Sequence, residues 1–131
     1  MHNIYYNMVI DVKYIIDNKS KAFALEIIKL CRGLSLDQVV YGVVRQLLRS
    51  GTSIGANVRE RLNAQSKPDF VNKLQIALKE ADESAYWLEL LFESGIIDTT
   101  QFTPLYNELK QIIAIITSSI NKLKSRGIEN I

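Results

Sequence analysis

The sequence predicts an all-α protein, an antiparallel up-down-up-down four-helix bundle. Apolar residues recur at helical period in four successive segments. Short connections carrying helix stop and start residues separate those segments. The 131 residues include two prolines and six glycines, too few for a turn-rich β-sandwich. Short links favour antiparallel neighbours, which gives the up-down order. The length, with 47% hydrophobic residues, suits one domain with a substantial core.

Residues 1–17 read as an N-terminal arm, because the β-branched and aromatic content of Ile4–Ile16 suits a short strand or a separate lead-in. Residues 18–126 make the bundle, and residues 127–131 form a tail expected to fray. The first helix runs from about Lys19 to Arg32, with Phe23, Ile27, Leu30 and Cys31 at helical spacing and Gly33 as its stop. Ser35 is the expected N-cap of the second helix, with Gln38 at the capping-box position.

The second helix reads on to about Ala64. At roughly 100° per residue, Val40, Val43, Val44, Leu47, Leu48, Gly51, Ile54, Gly55, Val58 and Leu62 share one broad face. The face crosses Arg49-Ser50-Gly51-Thr52-Ser53-Ile54-Gly55-Ala56-Asn57 without a change of phase, which favours one helix of about 28 residues, about 42 Å long. Its competitor is a break near Ser50–Ser53, since serine and glycine clusters also make turns. Gly51 and Gly55 lie four apart on one side, where missing side chains let a neighbouring helix come close. Asn57 sits at the apolar boundary and reads as a polar residue bonding across helices.

Ser66-Lys67-Pro68-Asp69 is a start signal: a cap, a proline in the first turn, and an acid at the positive end of the dipole. The third helix then runs to about Ser94, with Gly95 as its stop and Phe70, Leu74, Ala77, Leu78, Ala81, Ala85, Leu88 and Phe92 facing inward. The fourth begins at Asp98 or Thr99, with Thr103-Pro104 as the alternative start. Its stripe is Phe102, Leu105, Leu109, Ile112, Ile113, Ile116, Ile120 and Leu123, and Gly127 closes it.

The third helix carries a second apolar patch of Ile76, Trp87 and Leu90, with Tyr86 at its margin and Glu83 among them. Tryptophan and tyrosine are favoured interface anchors. The expected use is a homo-oligomer contact; the alternatives are docking of the arm or a wide core stripe. Arg45, Arg49 and Arg59 mark a basic stripe on the second helix, with Arg61 and Lys67 nearby, while the later part of the third helix is acidic. Such opposed faces suit head-to-tail packing into a ring. They could equally pair within one bundle or simply stay solvated, and the basic stripe could contact RNA or DNA phosphates.

A net charge of +2 permits acidic partners without demanding them. His2 is the only histidine and Cys31 the only cysteine, so neither a Ser-His-Asp arrangement nor a zinc cluster is expected. The chain reads as non-enzymatic and without cofactor. No apolar run reaches the ~18 residues that span a bilayer, and the start lacks a signal peptide's pattern. The cytoplasm is the expected compartment, without membrane partners.

The run Leu47-Leu48-Arg49-Ser50-Gly51-Thr52-Ser53-Ile54-Gly55-Ala56-Asn57-Val58, then Asp69-Phe70, Lys73-Leu74-Gln75-Ile76-Ala77-Leu78-Lys79-Glu80-Ala81, Glu83 and Tyr86-Trp87-Leu88 closely resembles the four-helix-bundle family of 23S ribosomal-RNA intervening-sequence proteins. The likeness covers roughly Asn18 to Lys124. It implies an antiparallel bundle assembled as a ring, typically a homopentamer. It also implies that no catalytic residues are established, and that related accessory proteins of diversity-generating retroelements bind nucleic acid and a reverse transcriptase. After Asn57 the chain departs from the family, which usually has Glu followed by a small residue. Here Arg59-Glu60-Arg61 stands, and Arg61 would alter close packing or extend the basic surface. The expected function is that of an oligomeric interaction or scaffold protein; the alternative is a nucleic-acid-binding accessory.

Overall fold

The computed structural model describes residues 4–126, with side chains from Ile15 onward. Its helices are α1 (Ile4–Gly33), α2 (Gln38–Glu60), α3 (Lys67–Glu93) and α4 (Thr99–Ser125), with one 3-10 turn, Arg61–Asn63, after α2. The described residues hold no strand. The strand or arm expected before Asp17 is instead helical from Ile4. No glycine or proline interrupts residues 4–32, and continuation of an amphipathic helix outranks local β-propensity. Ile16, Ser20, Phe23 and Ile27 of this helix are buried.

Asp37, not Ser35, caps α2: its carboxylate accepts from the Val40 amide at 2.8 Å. Both residue types cap well, and here the helix starts at Gln38, leaving the expected capping box unused. α2 is unbroken through Ser50–Ser53, and its hydroxyls bond back into the helix. Thr52 Oγ1 donates to the Leu48 carbonyl at 2.7 Å and Ser53 Oγ to the Arg49 carbonyl at 2.6 Å. The helix stops at Glu60, earlier than expected. The tighter 3-10 turn shifts the phase of residues 61–63, so Leu62, expected in the core, is 47% exposed while Arg61 is 3% exposed.

Ser66 caps α3 by accepting from the Asp69 amide at 3.1 Å. Gly95, at φ +80°, takes the left-handed position after the helix. The buried face is Val71, Leu74, Ala77, Ala81, Ser84, Ala85, Leu88 and Leu91; Phe70, Leu78 and Phe92 sit half-buried at its margin. Asp98 opens α4 with a capping box closed by Gln101. Pro104 lies inside the second turn and not at the start, close enough to the helix end that one lost backbone bond is tolerated. Gly127 lies outside the described residues.

α2 packs on α1 and α3, and α4 packs on α1 and α3, enclosing an apolar core built from all four helices. Side-chain pairs fix the register. Along α2, Arg49 meets Glu80 and Glu83, Ser50 meets Ser84, and Glu60 meets Lys73. Between α3 and α4, Phe92 stacks on Phe102 at 4.3 Å, and Tyr106 donates to Glu89 at 2.8 Å. Lys19 joins α1 to Glu108 of α4 at 2.9 Å. No helix among the described residues is long and apolar enough to cross a membrane.

Candidate interaction surfaces

The glycine pair lies on the α1 side of α2. A Cβ on Gly51 would stand 3.2 Å from the Ile27 side chain, and one on Gly55 would stand 3.4 Å from the Ser20 backbone. Gly51 therefore makes room for a core isoleucine, and Gly55 brings the two backbones together. The α3 side of the same stretch carries a buried hydroxyl pair, Ser84 Oγ donating to Ser50 Oγ at 2.8 Å. Asn57 bonds locally rather than across helices: its amide donates to the Ser53 carbonyl at 2.9 Å.

Of the five cations singled out in the sequence, two pair with carboxylates of the same chain, Arg49 at the surface and Arg61 in the interior. The Arg49 guanidinium bonds to Glu80 at 3.2 Å and to Glu83. Partial desolvation works against its charge, but the two carboxylates more than offset this and hold its pKa above the ordinary value. Arg61 is buried and cannot extend a basic surface. It pairs with Asp17 at 2.9 Å, donates to the Val58 carbonyl and lies 5.8 Å from the centre of the Phe70 ring. Arg45, Arg59 and Lys67 are exposed and have no ionic partner among the described residues.

The expected oligomer patch is divided as well. Glu83 is committed to Arg49, so this side of α3 faces α2. Trp87, one turn on, is half-buried within the single chain and packs against the core, and its buried Nε1 has no hydrogen-bond partner. Ile76 and Leu90 are half-buried. Tyr86 is the residue left open, 54% exposed and set edge-on to Trp87 with ring centroids 5.1 Å apart.

Cys31 is half-buried, and burial pushes its thiol pKa up, away from nucleophilic use. The described residues contain no cluster of metal-ligating side chains.

The 23S rRNA-intervening sequence protein family matches residues 13–118. The chain belongs to that family. Among solved structures, this intervening-sequence protein is similar to a protein of unknown function from the S23 ribosomal protein family of Bacteroides thetaiotaomicron VPI-5482, determined at 1.70 Å. The identity is 44%, covering 84% of this chain and 98% of that one, with a TM-score of 0.79. No curated protein matches the chain. The matched span includes both Asp17 and Arg61, the two members of this ion pair.

Proposed function

We propose that this intervening-sequence protein is a non-enzymatic scaffold, an antiparallel up-down-up-down bundle that assembles with copies of itself into a cytoplasmic ring. Five copies is the number the family resemblance implies. The up-down order is supported by the pairing register: as α2 advances from Arg49 to Glu60, its partners on α3 retreat from Glu83 to Lys73.

One observation carries the oligomer reading. Tyr86 stands open on α3, braced by Trp87 and bordered by half-buried Leu90. Aromatic groups of this kind anchor protein contacts when they desolvate against a partner. Nucleic acid is the less supported partner, because Arg49 and Arg61 are spent on carboxylates of the same chain.

Sedimentation velocity tests the reading. The wild-type protein is expected as a particle of several chains, and Tyr86→Glu is expected to shift it towards the 14.9 kDa single chain. A wild-type protein at single-chain mass throughout the micromolar range would overturn the oligomer.

A further inference from the structure

The outward sides of α1 and α2 carry two matching stripes that the bundle leaves uncovered. On α1, Lys21, Leu25, Ile28 and Arg32 follow one another at spacings of four, three and four, so they share a helix face. Leu25 is 53% and Ile28 37% exposed. On α2, Arg45, Leu48, Thr52 and Arg59 form the second stripe, with Leu48 37% exposed and Tyr41 extending it at its start. At their Lys21–Arg59 end the stripes flank a groove of 820 Å³ lined also by Ala24, Gly55, Ala56 and Leu62, and by Asp17 and Glu60, whose carboxylates are held by Arg61 and Lys73. The small residues keep its floor open. Each stripe reads cation, apolar middle, cation, and none of the four cations has an ionic or hydrogen-bonding partner among the described residues.

α3 carries the converse pattern. Asp82, Tyr86, Leu90 and Glu93, at spacings of four, four and three, form one outward stripe. Asp82 and Glu93 are exposed and also lack partners among the described residues. This stripe reads acid, aromatic, apolar, acid, is as long as the stripe on α1, and has the exposed Lys79 one turn before it.

We propose that the outward α1–α2 face, with the groove at one end, seats the α3 stripe of a second copy. Tyr86 and Leu90 lie over Leu25, Ile28 and Leu48, and Asp82 and Glu93 reach the cations at the two ends. The proposal rests on the homo-oligomer reading above and adds which face meets which. Charge complementarity selects the partner: an apolar middle between cations would stay wet against a phosphate backbone, whereas a helix with an apolar centre and acidic ends buries it. α2 borders both faces, since it packs on α1 and on α3. Donor and acceptor are therefore adjacent sides of the bundle, so repeated docking turns, as a closed ring requires.

The experiment is a charge swap followed by sedimentation equilibrium, with circular dichroism to confirm that each variant is helical. R45E/R59E and D82K/E93K alter exposed positions and are each expected to weaken self-association by at least about tenfold, since like charges then face each other. The chain carrying all four changes again sets opposite charges against each other at positions 45 and 59, while Lys21 and Arg32 stay basic, and is expected to associate more tightly than either double variant. A wild-type ring with both double variants still fully assembled would overturn the face assignment and leave the oligomer standing; so would a four-fold variant that associates no more tightly than either double variant. A single-chain wild type would instead overturn the oligomer itself. If R45E/R59E keeps its mass but loses binding to a single-stranded RNA oligomer, the groove belongs to phosphates, and the proposal fails.

Discussion

Arg61 decides more of this fold than its position in the sequence announces. Its guanidinium is enclosed between Asp17, the Val58 carbonyl and the Phe70 ring, and joins α1 to the end of α2. Removing one member of a buried ion pair leaves the other charge uncompensated, which costs about 3–5 kcal/mol. The Asp17 side chain keeps 25% exposure, so water relieves part of that cost. Arg61→Ala is therefore expected near the lower end, about 3 kcal/mol, read as a lower urea midpoint at unchanged slope. Asp17→Ala combined with Arg61→Met removes both charges and keeps much of the buried stem, and should lose less. A double variant as unstable as Arg61→Ala would place the arginine's contribution in packing rather than in the pair.

Among the elements, α4 is the one whose start is fixed most tightly by local chemistry. The Asp98 carboxylate accepts from the Thr100 hydroxyl at 2.6 Å and from the Gln101 amide at 2.9 Å. The hydroxyl bond first, and the amide bond after it, hold the Asp98 pKa below its ordinary value. A carboxylate with a depressed folded pKa adds stability that is present above its unfolded value, about 3.9, and lost as pH falls through the folded value. Asp98→Asn keeps a capping oxygen but does not titrate. Its acid unfolding limb below about pH 4 should be shallower than the wild-type limb, as followed by helical ellipticity; identical limbs would show that the cap does not contribute there. This start was legible, as was that of α3, because a cap and its partner lie within four residues. The start of α2 was less so: Ser35 and Asp37 are both good caps, and local chemistry does not choose between them. Leu62 and Arg61 were misplaced for a different reason. Periodicity extrapolates an α-helix, and one 3-10 turn changes which residue faces inward. Asp17, the partner that makes burial of Arg61 tolerable, lies 44 residues away, beyond the reach of any local pattern.

For the whole molecule, the number of helices and most of the core are set by apolar spacing, whereas the surfaces are not. The sequence shows a basic α2 and an acidic α3 without saying that Arg49 and Glu83 neutralise each other within the chain. The charge left over after such internal pairing is smaller, and includes Lys21, Arg32, Arg45 and Arg59 on one side and Asp82 and Glu93 on another. If these residues meet between copies, association is ionic at its edges and apolar at its centre. Exposed pairs are screened as the Debye length falls from about 10 Å at 0.1 M salt to about 3 Å at 1 M, while the apolar core and the enclosed Arg61–Asp17 pair are affected little. Raising NaCl from about 0.1 M to about 1 M should therefore weaken self-association by roughly tenfold, and the urea midpoint of the Tyr86→Glu single chain should hardly move. Both are measurable on the same preparations, by sedimentation equilibrium and by urea titration. Self-association that is unchanged or tighter in high salt would mean that Tyr86 and its apolar neighbours hold the copies together without help from the charged rims, and the unpaired cations would need another anion.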